Sequence, residues 1–372
     1  MVVPLAVVRD ARRRRWTVVA MVTAALLTAP LVVAALRPSG PPRDPAALRE
    51  LVLRSGTVPY QGYAHSTGAL ALPDLPDLGD VAKLFATTTT MHAWYAGPVR
   101  SRVAVLTVTG EQDLYRMPDA DYTWDYGTRT LTELTGTPAL RLPRASDLLP
   151  PDLARWLLNA TPGDRLDALP GRNVAGVAAS GLRVVPADPD TAIGQADLWA
   201  DPATGLPVRV EVTARGQRAP GLVSTFDAVE ETAPVIATPD LAPGASFTLT
   251  TAPDLSRALR ALGSARLPPV LHGRPARASG LDGVALYGPG LAAFAVVRVP
   301  PEVAGSVADA AATAGGAKSA LTAGSVVVLS IPPLSLAVVQ PHEGGRGYLL
   351  AGLVTPEVLR AAAGELAQRS GR

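Results

Sequence analysis

The chain has no cysteine, only four histidines and, in a sequence 18% charged, only two lysines, Lys83 and Lys318. Without cysteine there is no disulfide framework, thiolate zinc site, iron–sulfur cluster, cysteine nucleophile or acylated-cysteine lipoprotein anchor. The redox compartment stays open, because a chain without thiols is compatible with any. His65, His92, His272 and His342 include no pair at metal-ligand spacing, and no His-Glu-x-x-His occurs. His65 and His92 read as ordinary strand residues. Asp74, Asp77 and Asp80 recur every third residue, too widely for a calcium loop and without its terminal glutamate. They read as a proline-punctuated surface loop.

Other chemistry is missing too. In Gly315-Gly316-Ala317-Lys318-Ser319, Ala317 stands where a phosphate loop needs the glycine before its lysine, so the segment reads as a turn. Gly288-Pro289-Gly290 reads as a hairpin turn, and there is no Gly-x-Ser-x-Gly elbow. Asn159-Ala160-Thr161 has the form of a glycosylation sequon, a pattern short enough to arise by chance. No catalytic set emerges, and neither a metal nor a cofactor is expected. A binding role fits better than an enzyme; the rival class is a secreted hydrolase with a dispersed site.

The formal charge of +2 is concentrated at the N-terminus. Residues 1–36 hold five of the 34 basic residues (Arg9, Arg12, Arg13, Arg14, Arg15) and one of the 32 acids, which leaves the other 336 residues at −2. A nearly neutral body has no electrostatic footprint for nucleic acid. Residues 16–36 carry no charge. As a helix they span about 32 Å, enough for a hydrocarbon core of about 30 Å. The arginines before them place the N-terminus in the cytoplasm and the rest outside. Ala34-Ala35 offers small residues for cleavage, but the run is longer than a signal peptide's apolar region, so it reads as an uncleaved single-pass anchor.

At 48% hydrophobic residues, the chain is apolar enough to bury a large core. It divides into a basic tail (1–15), the anchor (16–36), a proline-rich tether (37–44), a first domain (45–230), a linker (231–253) and a small α+β domain (254–372). Asp44 and Pro45 predict a helix start, with Leu48, Leu51 and Val52 on one face. From Tyr60 the period is two. Strands are expected at about 60–72, 88–96, 100–109, 112–117, 121–126, 129–134, 174–186, 193–200, 206–214 and 223–230, with a helix over 147–159. Short turn-rich connections predict an antiparallel meander. A short strand is read at 246–250. The second domain is expected to open on a helix with Leu255, Ala258, Leu259 and Leu262 on one face. It continues with strands at about 282–288, 291–299, 325–331, 334–340 and 347–354, and ends in a helix capped by Thr355. The overall class is α+β.

One hairpin is specific. Asp197-Leu198-Trp199-Ala200 leads through Asp201-Pro202-Ala203-Thr204-Gly205 to Leu206-Pro207-Val208-Arg209. With the opening helix and Val58-Pro59-Tyr60-Gln61-Gly62-Tyr63, this resembles the RseB/MucB envelope regulators and their LolA-like relatives, in a membrane-anchored, actinobacterial-type form. The likeness covers about 45–230; a weaker one covers 265–355 through Leu281-Asp282-Gly283-Val284-Ala285-Leu286-Tyr287. It implies a half-open antiparallel barrel over helices with an apolar concavity for acyl chains. It also implies a second domain that contacts a membrane anti-sigma factor or another envelope partner. The alternative is a lipid or lipoprotein carrier without a signalling role.

The expected lining comes from alternation. Val208, Val210 and Val212 share a face opposite Arg209, Glu211 and Thr213. Met91, Trp94, Tyr122 and Trp124 join them as candidates whose face the sequence leaves open, and the two tryptophans fit either a ligand cavity or the core.

Overall fold

A computed structural model describes residues 40–70, 79–107, 110–135, 142–241, 243–250, 267–279, 283–321, 323–341 and 346–370. The expected anchor at 16–36, the start of the tether, the Asp74–Asp77 loop, the apolar stripe at 255–262, Leu281, Asp282 and His342 lie outside them. Among the described residues no helix is long and apolar enough to cross a membrane.

Helix α1 (Pro45–Arg54) begins where Asp44 and Pro45 predict. The Asp44 carboxylate accepts the Ala47 N–H at 2.9 Å, and Leu48 and Val52 are buried. After it come β1 (Tyr60–Gly68), α2 (Gly79–Ala86), β2 (Thr88–Gly97), β3 (Arg100–Thr107), β4 (Gly110–Arg116), β5 (Asp121–Asp125) and β6 (Thr130–Leu134). Helix α3 (Pro150–Ala160) precedes β7 (Arg165–Val174), β8 (Val177–Val185), β9 (Ile193–Ala200), β10 (Pro207–Ala214) and β11 (Leu222–Glu230). With β12 (Ser246–Thr250) these strands form one twelve-stranded sheet, ordered β12-β6-β5-β4-β3-β2-β1-β11-β10-β9-β8-β7. All pairings are antiparallel except β12 on β6. So β12, read within the expected linker, is built into the edge of the first sheet.

The helices cover one half of the sheet's inner face. α1 lies against β7 and β8, and α3 lies against β10 and β11. Their buried side chains (Leu48, Val52, Leu153, Ala154, Leu157, Leu158) meet Leu182, Leu198, Val208 and Val210 in one core. The sheet bends back at this edge, bringing β7 into contact with β11.

The 198–209 hairpin owes its residues to packing and turn chemistry. Asp201 Oδ1 accepts the N–H groups of Ala203 (2.6 Å) and Thr204 (3.1 Å), closing the turn. Gly205 has φ +76, and a Cβ there would lie 2.5 Å from the carbonyl oxygen of Leu51 on α1. Trp199 points to the outer face, donates Nε1–H to Pro170 O at 3.1 Å, and carries Arg172 on its ring at 4.2 Å. It thereby pins β7 to the sheet.

The second sheet runs β13 (Val270–Leu271), β14 (Arg274–Ala278), β15 (Val284–Tyr287), β16 (Phe294–Val299), β20 (Gly347–Gly352), β19 (Leu334–Pro341), β18 (Gly324–Ile331) and β17 (Ala317–Leu321). Two helices sandwich it. α4 (Pro301–Thr313) sets Ala304, Ala308 and Ala311 against Val327, Leu329 and Val338. On the opposite face α5 (Pro356–Ser370) sets Val358, Leu359, Ala362 and Leu366 against Val326, Val328, Val339 and Leu350. The apolar runs of β18 and β19 are therefore largely covered on both faces, with Leu334 and Leu336 half-buried.

A clamp joins the two sheets. Ala192 N–H donates to Leu353 O (2.8 Å), Thr355 N–H to Asp190 O (2.8 Å), and the Thr191 hydroxyl to Leu353 O (2.9 Å). Arg274, 9% exposed, pairs with Asp190 and donates to Ala292 O at 2.6 Å. Leu70 and Phe85, from the first half of the chain, pack into the core under α4.

Gly205 combines a left-handed φ with a close approach to helix backbone. Gly205→Ala is expected to lower unfolding free energy by about 1–3 kcal/mol, since it adds a left-handed φ penalty to a contact with helix backbone. Urea midpoints at unchanged slope will check it.

Candidate functional site

With α1 and α3 over β7–β11, the inner face of β2–β5 is only partly covered, by α2 at the ends of β1 and β2 and by one side of α3. A cavity of about 790 Å³ fills this space, within the usual size range of ligand pockets, about 300–1,000 Å³. Its walls are the inner faces of β2–β5, one side of α3, Val81 and Phe85 of α2, and the turn and strand ends Pro333, Leu334, Leu336, Ala351 and Leu353 of the second sheet.

Register sorts the polar and apolar ends. Directly paired residues share a face. Tyr60, Tyr95, Ser101, Arg116 and Asp121 are successive partners across β1–β5 and form one polar row. Two residues along, the row reads Gly62, Ala93, Val103, Leu114 and Thr123. Beyond lies an apolar end where Leu70, Phe85, Leu222, Leu334 and Leu353 line the cavity.

The polar end is a network of paired charges. Asp121 takes Arg144 at 3.3 Å and Arg116 at 3.9 Å. Asp147 accepts the Arg144 backbone N–H at 2.8 Å. Asp152 pairs with Arg155 at 2.8 Å. Burial raises the Asp152 carboxyl above its ordinary value, against the pull of Arg155. Its side chain is 39% exposed, but it lines the cavity, so part of that surface faces enclosed space rather than bulk water. The Tyr95 hydroxyl donates to Gly56 O at 2.5 Å. Tyr60 stacks on Tyr95 with centroids 5.0 Å apart.

The seven side chains singled out in the sequence separate into three places. Val212 lines the cavity. Val208, Val210 and Met91 point inward but are fully buried, packed in the core behind it. Trp94, Tyr122 and Trp124 stand on the outer face, since their cross-strand partners are Arg102, Tyr115 and Asp113. There Tyr122 and Trp124 share a cluster with Met117, Leu131 and Ile236. Trp94 borders both the inner cavity and a second, outer cavity of about 450 Å³. The pleat makes Tyr122 and Trp124 share a face, and the strap around Ile236 decides which face is covered.

The outer face holds a column of rings and charge. Tyr63 stacks on His92 (3.9 Å between centroids), His92 on Trp94 (3.6 Å), and Arg102 sits 4.5 Å from the centre of the Trp94 ring. Burial and Arg102 lower the His92 pKa. Beneath lies Asp113, 0% exposed, which accepts from Arg102 Nε (3.0 Å), Tyr115 OH (3.0 Å) and Tyr126 OH (3.4 Å). Burial, then Asp113, holds the Tyr115 phenol well above its ordinary range. All three bonds go to Asp113 Oδ2, while the buried Oδ1 has no hydrogen-bond partner.

His65 pairs with Asp227 at 3.0 Å. Among the described residues no group of three or more His, Cys, Asp or Glu is placed to hold a metal ion.

No protein-family model and no curated protein matches the chain. Solved structures do. MucB in complex with MucA(peri) is 20% identical, with a TM-score of 0.46, covering 86% of this chain and 97% of that one. The Pseudomonas aeruginosa MucA/MucB complex gives 21%, 0.45, 86% and 97%. A LolA superfamily protein from Nitrosomonas europaea gives 14%, 0.23, 51% and 94%. MucB and LolA-superfamily structures are among the chain's structural neighbours. None is close enough to transfer a residue's role.

Asp113 anchors the outer face, and removing it strands a guanidinium and two phenols. Asp113→Ala is expected to cost about 3 kcal/mol or more. In a guanidinium chloride melt, a loss under about 1 kcal/mol would show that the outer cluster is not held by this carboxylate.

Proposed function

We propose that the chain is an extracytoplasmic binding and regulatory protein of the cell envelope. Residues 16–36 anchor it, with the N-terminus in the cytoplasm, and it has no enzymatic activity of its own. It takes the acyl part of a lipid-like ligand into the inner cavity. Its second sheet and helices contact an envelope partner, of which the extracytoplasmic part of a membrane anti-sigma factor is the leading candidate.

The cavity carries this reading. It has an apolar body, a charge-paired polar end and walls drawn from both sheets. Each methylene buried there contributes about 0.8 kcal/mol. Ten would supply about 8 kcal/mol before the cost of ordering the ligand. A hydrolytic reading would need a nucleophile and base in contact; the cavity's carboxylates are tied to arginines, its other acids are tyrosines, and among the described residues no histidine lines it. The partner half is supported by the sequence likeness at 198–209 and 281–287. The anchored topology is supported by Arg12–Arg15 and the charge-free run after them, and a tethered protein suits regulation better than shuttling.

Two measurements test the halves separately. Native mass spectrometry of the full chain purified from cells is expected to show a bound acyl lipid. Ligand-free protein that also takes up no added lipid would remove the binding half. Reporter fusions at the C-terminus are expected to be active only outside the cytoplasm, and cytoplasmic activity would reverse the topology.

A further inference from the structure

The polar row contains one group that the protein leaves unpaired. Tyr60 is 1% exposed, lines the cavity, and its hydroxyl has no hydrogen-bond partner. A buried phenol normally finds a partner, and one left without costs free energy. Its ring is fixed from two sides, stacked on Tyr95 and edge-on to Phe226 at 5.6 Å. The neighbouring hydroxyl is already committed, since Tyr95 donates to Gly56 O. Of the two stacked phenols, only Tyr60 is left with an unused donor.

We infer that the Tyr60 hydroxyl is the hydrogen-bond donor for the carbonyl oxygen of an acyl ester whose chain occupies the apolar end of the cavity. This rests on the acyl-binding reading above and names the ligand class within it. Three features select an ester. Burial first, then Asp152, pushes the Tyr60 phenol well above its ordinary pKa, so it stays protonated and able to donate. The arginines at this end are already paired, Arg116 and Arg144 with Asp121 and Arg155 with Asp152, so a free fatty acid would bring an unpaired anion. A plain hydrocarbon would leave the donor unpaired, whereas a neutral carbonyl satisfies it without bringing charge into the cavity. Tyr60 also sits at the end of the cavity where the row turns polar, with Ser101, Arg116 and Asp121 beyond it for the rest of a head group.

The test uses a matched pair, 1-monolauroylglycerol and 1-O-dodecylglycerol, which differ in the carbonyl. Titrated into the purified full-length chain, the ester is expected to bind about tenfold more tightly than the ether, the size of one neutral hydrogen bond. Tyr60→Phe is expected to bind both with the affinity that the natural chain shows for the ether. Free of ligand, it should melt at the same temperature or higher, because it sheds an unpaired polar group. Equal affinity of the natural chain for ester and ether, a result that needs no variant, overturns the inference. An ester preference that survives Tyr60→Phe also overturns it. Failure of the natural chain to bind either compound would refute the acyl-binding reading itself, and this inference with it.

Discussion

Twelve strands at about 4.8 Å spacing make a sheet roughly 53 Å across. The helices packed on β7–β11 are 10 and 11 residues long, hence about 15 and 16 Å, and α2 adds only 8 residues at the ends of β1 and β2. Two such rods cover about half of the face, and they are held to β7–β11 by Leu48, Val52, Leu153, Leu157 and Leu158. The half they leave, β2–β5, becomes the roof of a cavity that α2 closes at one end. The site is thus a consequence of helix length against sheet width. The outer face of the same strands is closed by other means, through the Ile236 strap and the Asp113 network.

The second sheet completes the enclosure. Leu353 does two things at once: its side chain lines the cavity, and its carbonyl receives both the Ala192 N–H and the Thr191 hydroxyl. Arg274 ties the same loop to Ala292 through Asp190. The wall of the cavity and the joint between the sheets are therefore the same stretch of chain. Most of the β18 and β19 runs are covered by α4 and α5, while Leu334 and Leu336 of β19 reach the cavity wall.

Much of the fold was legible because its signals are local. Alternation of Val208, Val210 and Val212 with Arg209 and Glu211 marks β10, and Asp44-Pro45 marks the start of α1. The elements that escaped have weak local signals. β7 reads Arg-Leu-Asp-Ala-Leu-Pro-Gly-Arg-Asn-Val, and Pro170 and Gly171 interrupt the pattern where the register shifts between Leu169 and Arg172. An edge strand tolerates this, since its outer N–H groups need no partner. α4 buries only alanines, Ala304, Ala308 and Ala311, so its apolar stripe has no large residue to reveal it. β17 was hidden behind the turn glycines before Lys318.

The site was less legible than the fold, for a geometric reason. A period of two says that Tyr122 and Trp124 share a face, but not which face, and a strap more than a hundred residues away decides it. Large aromatics draw attention as candidate lining, yet here they close the outer face. Tyr60 gave no sign in the sequence, because an unpaired hydroxyl is a property of three-dimensional surroundings. On the proposed reading the register also orients the ligand. A head group at the Tyr60–Arg116 row puts the acyl tail toward Leu70, Leu334 and Leu353, beside the clamp residues. Occupancy of the cavity would then bear on the loop that sets the second sheet against the first. The physical route from ligand to partner surface would run through Leu353 and Thr191 rather than through the apolar strands of the second sheet.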